Sequence, residues 1–348
     1  MIKTIFYILF ISLVIVINSC KQEEVIIDNT NKSYNVLVSV GGGSPKLSIY
    51  SFPDGKLVND NLLGNLNSQI VTSKVTKIAE YLGNLYLIMP SSHKIEVISK
   101  ADYKQIATYD FTSLQLTPTD ICFPNATDAY VAMKDSNLIE LIDIHFNKIV
   151  KSIKVGNNPS SIAASGNQVY VANQASNNVT VIDLSLNKGV VATIDVAPNP
   201  NIIGFTASND VYVVSIGNGK IDTMAKSVSK ITYINPLTRT ITSSLDLGYG
   251  TTAPALNQIP FDIANSNKTY GYIPTSEALF RVDLKYKDKV KLVTKATYDK
   301  VYFYFGNRSV ILMKKMNGLT NFSIADEINV LELSNFNINA EVEAILPL

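Results

Sequence analysis

The sequence predicts an all-β chain built from seven copies of one four-stranded antiparallel unit, and three observations carry that prediction. The 348 residues are 46% hydrophobic and only 17% charged, with Val, Ile, Tyr, Thr, Asn and Ser prominent, a strand-forming composition. Apolar and polar residues alternate with period two between clusters of turn formers. A short strand centred on a Tyr also recurs about every 40 residues, the signature of a repeat architecture. The copies are marked by Tyr86, Tyr130, Tyr170, Tyr212, Tyr270 and Tyr302, with Val38 in VLVSVG as a first copy lacking Tyr.

The chain opens with a different element. Lys3 precedes an apolar run from Ile5 to Ile17, too short to span a bilayer of about 30 Å and suited to the core of a secretory signal. Ile17-Asn18-Ser19-Cys20 then resembles the lipobox of bacterial lipoproteins, which implies cleavage after residue 19 and acylation of Cys20. Residues 20–33 read as a tether, with Lys21-Gln22-Glu23-Glu24 resembling the export stretch of surface-exposed lipoproteins. Residues 34–348 read as one domain. Losing Lys3 leaves 29 Lys and Arg against 29 Asp and Glu, so no basic footprint for nucleic acid exists. Cys122, between Ile121 and Phe123, reads as a buried, inert thiol.

Within each unit the Tyr strand leads to a second strand that closes on Asp or a polar stand-in: Ser99, Asp143, Asp183 and Asp283, each 13 residues after its Tyr. A third strand follows, such as 148–155 or 189–196, then a Pro-containing loop and a short strand into the next Tyr. Such a sheet cannot bury its apolar face alone, so the units are expected to stack radially as the blades of a β-propeller. The count is seven, give or take one. Tyr302 follows Asp283 by only 19 residues, against 27 from Asp143 to Tyr170, so a strand is expected to be missing there.

The units resemble the YVTN repeat of YncE-like β-propellers. The match is strongest at Pro159, Ile162-Ala163, Tyr170-Val171-Ala172-Asn173, Val179-Thr180-Val181-Ile182-Asp183 and Ala192-Thr193-Ile194. Some lipoproteins of this type, carrying the same anchor, capture cobalamin above a TonB-dependent transporter. The resemblance implies an outer-membrane, lipid-anchored, surface-exposed protein that captures a small-molecule or glycan ligand and hands it to such a transporter, without nucleic acid as a partner. An adhesive or surface-layer scaffold, or a lactonase- or lyase-type enzyme, are the other readings.

Enzymology has little material here. The only histidines are His93 and His145, and no metal-ligand spacing, phosphate loop or nucleophile elbow occurs, so no cofactor, metal or catalytic residue is expected. Gly41-Gly42-Gly43 precedes no helix pattern and reads as a turn device. Propeller ligands are held by loops on one face of the disc. The loops after the Tyr strands supply Ser91, His93, Lys134, Asn173, Gln174, Asn177, Ser215, Asn218, Thr275, Asn307 and Arg308. Insertions are expected at 217–226 and 307–325, and a long connection at 248–259 offers Tyr249 as an aromatic platform.

Overall fold

The computed structural model describes residues 33–42, 45–62, 73–185, 187–217, 229–247, 264–266 (backbone), 270–275, 278–304, 306, 308–326 and 332–348. They belong to one compact unit, Ser33–Leu348. Cys20, Asn218, Tyr249 and Asn307 lie outside the described residues.

Seven four-stranded antiparallel sheets form the ring of a β-propeller. Blade 4 shows the plan: Pro159–Ser165 is innermost, followed outward by Gln168–Asn173, Asn178–Asp183 and Gly189–Asp195. Blades 2, 3, 5, 6 and 7 repeat it over 77–110, 117–154, 200–246, 264–294 and 300–338. Blade 1 is assembled from both ends of the domain. Its innermost strand, Val342–Pro347, pairs with Tyr34–Val40, which is followed outward by Lys46–Phe52 and Lys56–Asn59.

The recurrent Tyr has a packing reason. Tyr86, Tyr130, Tyr170, Tyr212 and Tyr272 each lie in the apolar core between their own blade and the next. The innermost-strand residue paired with each is small: Ala79, Cys122, Ala163, Gly204 and Ala264. Gly204 marks the limit, since a Cβ there would stand 2.4 Å from the Tyr212 hydroxyl. Burial pushes the Tyr170 hydroxyl up to about 12, so it packs uncharged.

Three register marks move. In blade 6 the equivalent residue is Tyr272, paired with Arg281 as Tyr170 pairs with Val181; the 13-residue spacing of Tyr270 matched because the intervening turn is two residues shorter. In blade 1 the mark falls on Leu37, one residue before Val38. In blade 7 the pair is inverted: Tyr302 sits on the innermost strand, Lys300–Tyr304, opposite Ile311. Consequently no strand is missing after Asp283, because Val290–Thr294 and Lys300–Tyr304 both fit there. The insertion expected at 307–325 is two strands, Ser309–Met316 and Leu319–Asp326.

Strand-end carboxylates also acquire a cause. Asp143 Oδ1 accepts from the backbone N–H of His145 and Phe146, and Asp283 Oδ1 from those of Lys285 and Tyr286. Asn235 does the same for Leu237 and Thr238. Each is an Asx turn leading to the outer strand. The turn ends four residues on in a left-handed residue, Asn147, Asn187, Arg239 or Lys287, and this end ties to the preceding blade. Tyr109 Oη donates to Asn147 Oδ1 at 2.9 Å, Lys188 pairs with Asp128 at 2.6 Å, and Lys287 pairs with Asp210.

Every outermost strand carries one extra, unpaired residue relative to its neighbour, for example Val58, Ile106, Val150 and Leu333. These bulges deny a straight edge to another chain.

Candidate functional site

The two faces of the disc are not equivalent. Turns between second and third strands, together with the blade-to-blade connections, lie on one face, here called upper. Turns between first and second and between third and fourth strands make the lower face. Hydrogen bonds prove the upper pairing: Gln174 N and Ala175 N donate to the carbonyls of Asn158 and Asn157, and Val196 N donates to that of Asn177.

Most site residues read from the sequence build this upper lattice. Asn177, in left-handed backbone, accepts from Asn199 N through Oδ1 at 2.9 Å, and Gln174 Oε1 accepts from Asn158 Nδ2 at 3.0 Å. His93 is also left-handed, and its Nδ1 donates to the Leu116 carbonyl at 3.0 Å. Ser91 and Lys134 are exposed beside them. Asn173, Ser215 and Thr275 close three successive second strands and are all buried. Asn173 Nδ2 donates to Asn178 Oδ1 and Thr180 Oγ1 at 2.9 and 2.8 Å, and Thr275 Oγ1 donates to the Ala278 carbonyl at 3.0 Å. They support the loops from beneath. Arg308 lies elsewhere: it precedes the second strand of blade 7 and belongs to the lower face, a consequence of the inverted Tyr302 register.

A polar belt runs around the innermost strands toward the upper face, and the sequence reading missed it. Asp120 pairs with Lys77 of blade 2 and accepts from Ser161 Oγ and Ile162 N of blade 4 at 3.0 and 3.1 Å. Thr119 and Ser160, at the bulge of their innermost strands, each donate to the proline carbonyl of the next blade, Pro159 or Pro200. Glu343 holds the same bulge position in blade 1. Its carboxylate is buried between Lys74 and Lys315, both at 2.6 Å, and Lys300 Nζ donates to its backbone carbonyl at 2.8 Å. Burial pushes the Glu343 carboxyl up, but the two ammonium groups outweigh it and hold the group below its ordinary range. Gly41 packs closely beside it: a Cβ there would lie 2.8 Å from Glu343 Oε1, so the carboxylate would have to shift. The sequence signal was a lone carboxylate between Val342 and Ala344, where blades 3 and 4 have Thr119 and Ser160.

The long connections share one face. Those at 60–76, 218–228 and 248–263 each leave and rejoin strands at their upper ends, whereas the described lower-face turns are short. Chemically, the upper face offers amide, hydroxyl and ammonium groups around the axis. Among the described residues no group of three or more His, Cys, Asp or Glu is placed to hold a metal ion.

Comparison with known proteins bears on the fold alone. No family model and no curated protein matches the chain. Among solved structures the chain is similar to Kuenenia stuttgartiensis hydrazine synthase, with a TM-score of 0.59 and 15% identity over 73% of this chain and 79% of that one. At that identity the likeness establishes a seven-bladed β-propeller.

Proposed function

We propose that the protein is a lipid-anchored, surface-exposed capture module of the outer membrane that binds a bulky small molecule or glycan on its upper face, cobalamin being the first candidate, and passes it to a TonB-dependent transporter. The observation that carries the reading is the asymmetry of connections. All three stretches beyond ten residues spring from the upper face, two of them flanking blade 5 and its passage to blade 6. Long excursions on a rigid scaffold are where binding is built. Surrounding amide and hydroxyl groups suit a ligand held by many neutral hydrogen bonds, and nothing in the reading requires a catalytic group. The anchor rests on Cys20 and its preceding apolar run.

The test is thermal unfolding of the chain with cobalamin, siderophores and glycans in turn. A ligand bound only by the native state stabilises it by about 4 kcal/mol at a thousandfold excess over its dissociation constant. The expected result is a raised midpoint with one class, abolished by deleting residues 218–228 while the midpoint without ligand is kept. A flat response to the whole panel overturns the capture reading.

A further inference from the structure

The lower face carries large apolar side chains at the tips of its turns. Leu237 is 90% exposed, Phe146 74%, Tyr286 67% and Leu82 62%. Phe146, Leu237 and Tyr286 occupy the same Asx turn on blades 3, 5 and 6, Phe146 and Tyr286 at its fourth position and Leu237 at its third, and Leu82 stands on the inner turn of blade 2. Of the other exposed large apolar residues among those described, seven lie on outermost strands and two, Leu114 and Met316, on the upper face. The turns that carry Phe146, Leu237 and Tyr286 are each tied to the preceding blade by the Asn147, Arg239 or Lys287 contact.

Exposed cations accompany the tips. Lys285 Nζ lies 5.1 Å over the Tyr286 ring, and Lys148, Lys289 and Lys291 are exposed on the same turns or the strand starts beside them. Asp143 and Asp283 are engaged as turn caps, while the exposed Asp288 lies 3.9 Å from Lys289. The chain also reaches the domain on this side: Ser33 precedes Tyr34, which pairs with Phe52 at the lower end of blade 1.

From these juxtapositions we infer that the lower face docks on an anionic lipid surface, with Phe146, Leu237, Tyr286 and Leu82 entering the headgroup boundary and the lysines pairing with lipid phosphates. A protein partner would call for one contiguous apolar patch, whereas separate protrusions on one face interleaved with ammonium groups fit a lipid interface. The tether arriving on this face brings it to the bilayer, a step that rests on the anchor of the proposed function. Membrane binding that lasts takes two weak attachments; the lower face is the second.

The experiment places an environment-sensitive fluorophore at Leu237→Cys or, on the opposite face, at Met316→Cys. Cys122 does not compete, since its buried thiol is pushed well up and stays protonated. The full chain is mixed with phosphatidylcholine vesicles with and without phosphatidylglycerol, in the native and the Cys20→Ser backgrounds. Expected is a blue shift and lipid-borne quenching at position 237 and neither at 316, stronger with phosphatidylglycerol, weakened by salt, and reduced about tenfold or more by Phe146→Ser with Tyr286→Ser. Vesicle-bound chain whose position 237 remains in water overturns the docking and leaves the anchor standing. A shift at 237 that survives Cys20→Ser supports the docking whatever becomes of the anchor.

Discussion

Gly204 and Tyr212 show how tightly one residue can be specified by another. The φ of Gly204 lies outside the left-handed region, so its smallness serves the ring of Tyr212 and not the backbone. Gly204→Ala should therefore cost about 1–3 kcal/mol by overpacking, read from urea unfolding, and Tyr212→Leu in the same chain should recover part of the loss. Additive losses in the double variant would show that the two positions are uncoupled. Four of the marks, Tyr86, Tyr130, Tyr170 and Tyr212, were legible in the sequence because four inter-blade cores pose the same packing problem; in blade 6 the mark is Tyr272 and not Tyr270. Their small partners were not, since Ala79, Cys122, Ala163 and Gly204 span three residue types whose shared property is small volume.

At the scale of the element, the third-to-fourth turn is the most regular piece of the molecule. Asp143→Ala removes an acceptor for two backbone N–H groups and should cost about 1 kcal/mol, while Asp143→Asn should cost little, as Asn235 already performs this role. Chemical denaturation of both variants checks the pair, and equal losses would contradict the capping role. The spacing from Tyr to Asp exposed these turns in the sequence; the bulges beyond them stayed hidden, because Val58, Ile106 and Val150 are apolar like their paired neighbours. The upper loops were legible as polar turns. What their side chains do was less so: Asn177 and Gln174 bond to neighbouring loops.

The whole molecule depends on ring closure, where Glu343 joins Lys74 of the connection into blade 2 and Lys315 of blade 7. Its folded value is depressed below the ordinary 4.5, so the stabilisation is fully present above that pH and is lost as acidification passes through the lower folded value. Glu343→Gln should cost about 1–3 kcal/mol at neutral pH and flatten the acid limb of stability below 4.5, measured by unfolding across a pH series; an unchanged acid limb would assign the sensitivity elsewhere. This cluster escaped the sequence reading because its members meet only when the ring is complete. The pairing of Val342–Pro347 with Tyr34–Val40 also imposes a timetable. During synthesis from the N-terminus, Tyr34–Val40 is made first and its innermost partner last, so the first blade waits with an unpaired edge for nearly the whole of translation. Long-range pairing of this kind is slow and open to wrong partners meanwhile. Until Val342–Pro347 has been made, the nascent chain therefore holds a ring that cannot shut.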